Sequence, residues 1–272
     1  MKPVAYTLER HDRVDAATRR LQDGGWGCKP VAGGQSLGAM LNLRLAQPDV
    51  LVDLDALADL HGAAQSPTEV TFGAMTTHAS IEDRRVPDPT RGLLPHVARG
   101  IAYRAVRNRG TLGGSLCHAD PAADWVNAMP LAGATLTITG PGGTRRLCAA
   151  EFMQGAFETA LAEGELLVSV SVPNRSPAAR WGYRKFCRKT GEFADAVVGV
   201  LADPADGTER VVLGGLDGAP RVFDTPGLHA ALRDAAHRAA WLEALDLGLD
   251  PTRDALLREL LRLALDDLET PR

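Results

Sequence analysis

The chain has 272 residues, 45% hydrophobic and 24% charged by type, with a formal net charge of -4. That is enough for one large domain or two with a sizeable core, and the negative balance argues against nucleic acid as a partner. The N-terminal stretch MKPVAYTLERHDRVD has no apolar leader, and no apolar run approaches the ~18 residues that span a bilayer, so a cytoplasmic protein without a transmembrane segment is expected.

Along the chain, Asp12 is placed to cap a helix running to Leu21 and stopped at Gly24-Gly25. A short strand over residues 29–32 leads through Ala32-Gly33-Gly34-Gln35-Ser36-Leu37 into a helix with Leu37, Met40, Leu41 and Leu45 at helical spacing, broken at Gln47-Pro48. Residues 50–54 read as a second strand. This order puts the Gly33-Gly34 amides at a helix N-terminus, where the dipole favours an anion.

Residues 69–75 read as a strand, Thr77 as the cap of a short helix from His78, and residues 92–102 as a helix. Residues 106–121 look like a loop, and it carries Thr111-Leu112-Gly113-Gly114-Ser115. A helix over 122–129 follows, with Asp120 as its N-cap and Pro130 as its end. Residues 134–139 and 144–148 form a hairpin about Pro141-Gly142-Gly143, and 165–172 is a strand ended by Pro173. Residues 173–179 form the best linker. Strands over 181–188, 196–201 and 211–216 precede helices over 228–247 and 254–268, the latter with Leu257, Leu260, Leu261, Ala264 and Leu268 on one stripe.

Chemistry concentrates in the two glycine pairs, about 80 residues apart. Each exposes consecutive N–H groups next to a hydroxyl, which suits an anion nest, and together they suggest two walls closing on one diphosphate. G-x-G-x-x-G, P-loop, H-E-x-x-H and G-x-S-x-G patterns are absent. Cys28, Cys117, Cys148 and Cys187 are isolated, so a redox carrier must be organic or lie on another subunit. His118, Asp120 and Asp124 lack a second cluster to complete a metal site, and Asp124 instead suits a ribose hydroxyl. Arg104, Arg107 and Arg109 read as a solvated or inter-subunit basic face, with a phosphate contact as the alternative. His61, His96 and His229 read as surface or capping groups.

In the segments PVAGGQSLGAMLNLRLAQPDVLVDL, GAMTTHASI, VRNRGTLGGSLCHADPAADW, ELLVSVSVP and YRKFCRKTGEFADAVVGV, the chain resembles the FAD-binding medium subunit of the molybdenum hydroxylases. These segments follow the family's order from near residue 30 to about 200. The resemblance implies an α+β fold: a two-subdomain FAD-binding domain of the molybdopterin dehydrogenase (PCMH-like) type over residues 1–176, divided near 55, then a C-terminal domain over 177–272 made of a small antiparallel sheet with helices. It implies FAD contacts at Val31, Ala32, Gly33, Gly34, Gln35, Ser36 and Leu37, and at Thr111, Leu112, Gly113, Gly114 and Ser115. It further implies contacts at Ile101, Asp124, Leu167, Lys185 and Phe193, with Lys185 favouring a reduced, anionic flavin and Phe193 covering the isoalloxazine ring.

No catalytic side chain is implied. The implied role is electron transfer from iron–sulfur clusters of a small subunit, fed by a large molybdopterin subunit, in a dimer of heterotrimers. The chain departs from the family after about residue 225, where a His-Ala-Ser…Tyr-Arg stretch is missing, and at Tyr103-Arg104. A free-standing FAD-dependent oxidase or reductase, and a non-catalytic FAD-binding assembly module, remain open readings. The substrate and the terminal acceptor are not written in this chain.

Overall fold

The computed structural model describes residues 2–269. Its first layer is a parallel sheet of β1 (Thr7–Arg10), β2 (Cys28–Val31) and β3 (Val50–Asp53) in the order β1-β3-β2, with α1 (Val14–Gly24) and α2 (Leu37–Asn42) as connections. The sequence pattern does not signal β1, because this edge strand is exposed or half-buried at every position. Arg13, not Asp12, holds the N-cap position of α1, and Asp15 in the first turn binds Arg13 and Arg19. Helix α2 is shorter than expected. It stops at Asn42 before Arg44, which is left-handed at φ 59°, and this leaves Leu45 exposed.

The middle of the chain builds an antiparallel sheet in the order β4-β5-β10-β6-β7. It comprises β4 (Ala63–Gln65), β5 (Glu69–Gly73), then α3 (His78–Glu82), α4 (Leu93–Arg99), α5 (Arg104–Arg107), α6 (Leu112–His118) and α7 (Asp124–Ala132), before β6 (Thr135–Gly140), β7 (Gly143–Cys148), α8 (Ala149–Phe152), the small hairpin β8 (Met153–Gly155) and β9 (Glu158–Thr159), and β10 (Leu166–Pro173). Thr77 caps α3 as expected, its Oγ1 accepting from the Ser80 N–H. Residues 106–121 are not a loop. They hold the end of α5 and all of α6, and the second glycine pair lies in the first turn of α6.

Two boundaries of α7 also differ. Ala123 is the N-cap, while the Asp120 carboxylate accepts from the Ala122 N–H. Pro130 stays inside the helix, where only one late intrahelical bond is lost, and Gly133 ends it at φ 71°. Every residue of α7 is buried, so this helix is the centre of the main core.

The last layer is an antiparallel sheet of β11 (Arg180–Phe186), β12 (Ala196–Asp203), β13 (Thr208–Gly214) and β14 (Arg221–Asp224). Strand β12 is apolar on both sides because both are covered: Val197 and Leu201 join the core around α7, whereas Val198 and Val200 join one under the C-terminal helices. Those helices are α9 (Leu228–Arg233), α10 (Ala235–Ala244) and α11 (Pro251–Asp267). The single helix expected over 228–247 is two, because Asp234 is extended and starts α10 by accepting from the His237 N–H. The stripe Leu257, Leu260, Leu261 and Ala264 of α11 is buried on the sheet, with Leu268 packed beside it. The expected linker is tied down: Arg175 is buried on the carbonyl of Ala132 and the side chains of Asp206 and Thr208, and Ser176 bonds Asp203. Among the described residues, no helix is long and apolar enough to cross a membrane.

Candidate cofactor site

A cavity of about 540 Å³ opens where the three layers meet. One wall is β2 and the turn into α2, from Lys29 to Leu37 with Met40. The other comes from Ile101, Thr111, Gly113–Ser115, Asp124 and Leu167, with Gly191–Phe193 at the rim. A separate cleft of about 570 Å³, lined by Arg84, Arg91, Arg180 and Trp181 among others, shares no residue with it.

The two glycine segments are not equivalent walls. In the first, no acceptor within the described residues takes the N–H groups of Gly34, Gln35, Ser36 or Leu37. Gly34 is left-handed at φ 70°, Gln35 folds back so that its Nε2 donates to the Gly33 carbonyl, and the Ser36 hydroxyl caps nothing. In the second, the amides are already used. Leu112 N–H donates to Thr76 O at 2.9 Å and Gly113 N–H to Ala74 O at 2.8 Å; Gly114 N–H donates to Thr111 Oγ1 at 3.0 Å and Ser115 N–H to Thr111 O at 3.0 Å. Its glycines serve close approach instead. A Cβ on Gly113 would sit 2.5 Å from the Ala74 Cβ, and one on Gly33 would sit 2.0 Å from the Arg109 carbonyl oxygen. The segments are thus packed backbone to backbone, with unbonded amides on one side only.

Asp124 opens α7 at the base of the cavity and is 7% exposed. Its Oδ2 accepts from Lys185 Nζ at 2.8 Å and its Oδ1 from the Tyr183 hydroxyl at 3.1 Å, while Lys185 Nζ also donates to the Gly100 carbonyl at 2.9 Å. Tyr183 and Lys185 are two apart on β11 and so project from the same face. Burial, and then the Asp124 carboxylate, push the Tyr183 phenol well above its usual range.

The family described as "FAD binding domain in molybdopterin dehydrogenase" matches residues 5–175. The chain belongs to that family. It is 33% identical over 257 residues to the 6-hydroxypseudooxynicotine dehydrogenase complex subunit alpha of Paenarthrobacter nicotinovorans, covering 92% of this chain and 87% of that one. It is 33% identical to the carbon monoxide dehydrogenase medium chain of Afipia carboxidovorans, covering 76% and 72%. Among solved structures, a carbon monoxide dehydrogenase chain of Hydrogenophaga pseudoflava superposes with a TM-score of 0.88 at 29% identity, covering 99% of both chains. The chain is therefore a flavoprotein subunit of the molybdopterin dehydrogenase type, with the fold expected from its sequence.

Within this FAD-binding domain, Val31 to Leu37, Ile101, Thr111, Gly113, Gly114, Ser115, Asp124 and Leu167 line the cavity, and Phe193 joins them from the connection between β11 and β12, beyond the matched residues. Leu112 does not: it is fully buried in the core, because the turn of α6 points it away from the cavity. Lys185 stands behind Asp124, with two of its three N–H donors committed and its charge offset by the carboxylate, so it does not present a free cation to a flavin. Phe193 is 64% exposed at the rim, on a connection that leans against Ala102. Arg104 and Arg107 are neither a free basic face nor a phosphate site. Arg104 binds Asp83 and Glu82, whereas Arg107 binds Glu82 and, through Nη1, the carbonyls of Ile101 and Ala102, which fixes the turn that presents Ile101. His229 is buried rather than at the surface, with Nε2 on the Arg210 carbonyl.

Sequence reasoning passed over Tyr183, whose i, i+2 spacing to Lys185 was the available signal, and two cavity residues, His78 and Cys117. Burial pushes the Cys117 thiol up to about 12, so it stays protonated at pH 8. Iodoacetamide at that pH should label the exposed Cys148 well ahead of the half-buried Cys117, as read by peptide mass spectrometry; equal labelling would contradict the raised Cys117 thiol.

His78 is 5% exposed, and burial together with Arg107 lowers its pKa from 6.5 to about 4. An unfolded chain protonates this imidazole near pH 6.5 and the folded chain only near pH 4. Stability tied to it is therefore complete above pH 6.5 and is lost as pH falls towards 4, by up to about 3 kcal/mol. Chemical denaturation at pH 7 and 4.5 should show a smaller acid loss in His78→Gln than in the wild type. Equal losses would refute the assignment.

Proposed function

We propose that this chain is the electron-transfer medium subunit of a molybdenum-containing hydroxylase or dehydrogenase. It would receive electrons from iron–sulfur clusters on a small partner subunit, fed by a large molybdopterin subunit, and pass them to an external acceptor. The medium-chain relatives support this assembly, and the lack of a Cys cluster in the chain is consistent with metal centres lying elsewhere. A dimer of heterotrimers, and a division of the chain near residues 55 and 176, belong to the same reading.

The observation that carries the cofactor assignment is the row of unbonded N–H groups from Gly34 to Leu37 facing a cavity with apolar side chains on its other wall. These residues are half-buried or, at Gln35, exposed, so their amides are open to a ligand, and a diphosphate supplies acceptors to such a row of N–H groups. Here the amides of 34–37 with the hydroxyls of Ser36 and Ser115 would hold the diphosphate. Met40, Ile101 and Leu167 would exclude water from the rings, Phe193 would cover the open side, and Asp124 would meet the cofactor with its charge held by Lys185 and Tyr183. FAD, when bound, supplies the redox chemistry; the protein fixes and shields it.

The full chain, expressed with adequate riboflavin, should show flavin absorbance, release FAD rather than FMN on denaturation, and co-purify with an iron–sulfur and a molybdopterin chain when the three are co-expressed. A chain without flavin absorbance that takes up no added FAD would sink the reading. A flavin-loaded chain with substrate turnover of its own and no affinity for such partners would sink the electron-transfer part alone.

A further inference from the structure

We propose that His78 is a binding residue of this cavity, its Nε2–H donating to a diphosphate oxygen of the bound dinucleotide. The inference rests on the FAD reading above and adds a donor from outside both glycine segments.

The ring is fixed in orientation and in tautomer. His78 opens α3 behind the Thr77 cap, and its backbone N–H donates to the Gly110 carbonyl at 2.9 Å. The Trp125 indole, fully buried, donates through Nε1 to His78 Nδ1 at 2.9 Å. An indole N–H can only donate, so Nδ1 must carry the lone pair and a neutral ring must carry its proton on Nε2. Burial and the charge of Arg107 keep the ring neutral at physiological pH.

The donor is then without an acceptor. The side chain is 5% exposed, it lines the cavity, and no group among the described residues bonds Nε2. Nε2 is not sealed inside the protein but open to the cavity, so a ligand there can reach it and supply the acceptor. Its place in the fold names the ligand atom. Nε2 lies beside Gly110, where a Cβ would come within 2.7 Å of it, so the space over Nε2 is open only because residue 110 is glycine. The Gly110 Cα in turn lies against Gly33, where a Cβ would come within 3.0 Å. The donor therefore lies beside Gly110, which packs against Gly33, the residue that precedes the unbonded amides.

The experiment uses the full chain stripped of flavin and titrated with FAD, with ADP as a second probe that carries the diphosphate without a flavin. His78→Phe keeps ring size and removes both nitrogens. It should weaken FAD by about 10- to 100-fold, the range of a hydrogen bond to a charged group, and weaken ADP by the same factor. His78→Gln, whose Nε2 donor reaches a similar position, should stay within about 3-fold of wild type. Long-range ¹H–¹⁵N spectra of the wild-type chain should show the neutral Nε2–H tautomer, with the Nε2–H resonance moving on addition of ADP; this reading decides the matter if His78→Phe does not fold.

Wild-type affinity for FAD and ADP in a folded His78→Phe chain would overturn the assignment, as would an Nδ1–H tautomer. Loss of FAD affinity with ADP affinity intact would overturn the diphosphate as its target. A wild-type chain that binds no FAD would instead overturn the cofactor reading and this inference with it.

Discussion

Gly33→Ala should remove tight FAD binding and cost the fold about 3 kcal/mol or more. The added Cβ would lie 2.0 Å from the Arg109 carbonyl oxygen and 2.7 Å from its carbon. Overpacking against a side chain costs about 1–3 kcal/mol because the side chain can turn aside. Here the opposing atoms are backbone, held by the Arg109 and Gly110 N–H bonds to Val106 O at the end of α5, so the two segments must separate. Separation moves the wall that carries the unbonded amides away from the wall of α6. A control lies five residues on: Gly38 is in α2 with nothing within 4 Å of its Cβ position, and Gly38→Ala should raise stability by up to about 1 kcal/mol. Thermal unfolding with flavin content measured on the same samples tests both. Equal flavin occupancy in Gly33→Ala and wild type would show that contact between the segments is not what forms the site.

Asp124→Ala should destabilise the chain by about 3–5 kcal/mol, the usual cost of leaving one member of a buried ion pair alone. Lys185 has 15% of its side chain exposed and Asp124 7%, so solvent offers little compensation. The Tyr183 hydroxyl loses an acceptor in the same substitution. Lys185→Met alone leaves the carboxylate buried and should cost nearly as much. The double variant Asp124→Ala with Lys185→Met removes both charges and should cost clearly less than the sum of the singles, giving a coupling of about 2 kcal/mol or more in a double-mutant cycle. Denaturant titration measures each term. A coupling under about 0.5 kcal/mol would mean that the two charges are solvated independently, contrary to their burial.

The order of elements was legible because it rests on local signals. The alternation in β10, the Pro-Gly-Gly turn between β6 and β7 and the apolar stripe of α11 are each contained in a short window, and each folds as its pattern dictates. The misses share a cause. Strand β1 has no buried face of its own and forms by pairing with β3, some 40 residues away. Residues 106–121 read as loop because glycine weakens the helical pattern, yet α6 forms once Thr111 caps it and Ala74 and Thr76 accept its first amides. Asp234 splits the expected long helix because its carboxylate caps α10 better than its backbone continues α9.

The same division runs through the site. By itself the sequence determined the family, the cofactor class and the two glycine segments, because close backbone approach demands glycine at particular positions and leaves a readable mark. Only the tertiary structure decided that one segment keeps its amides free while the other spends them, that Leu112 faces the core, and that Lys185 serves Asp124. Those outcomes depend on which distant carbonyls and carboxylates arrive as acceptors, and hydrogen-bond partners brought together by long-range packing leave no pattern in the local sequence.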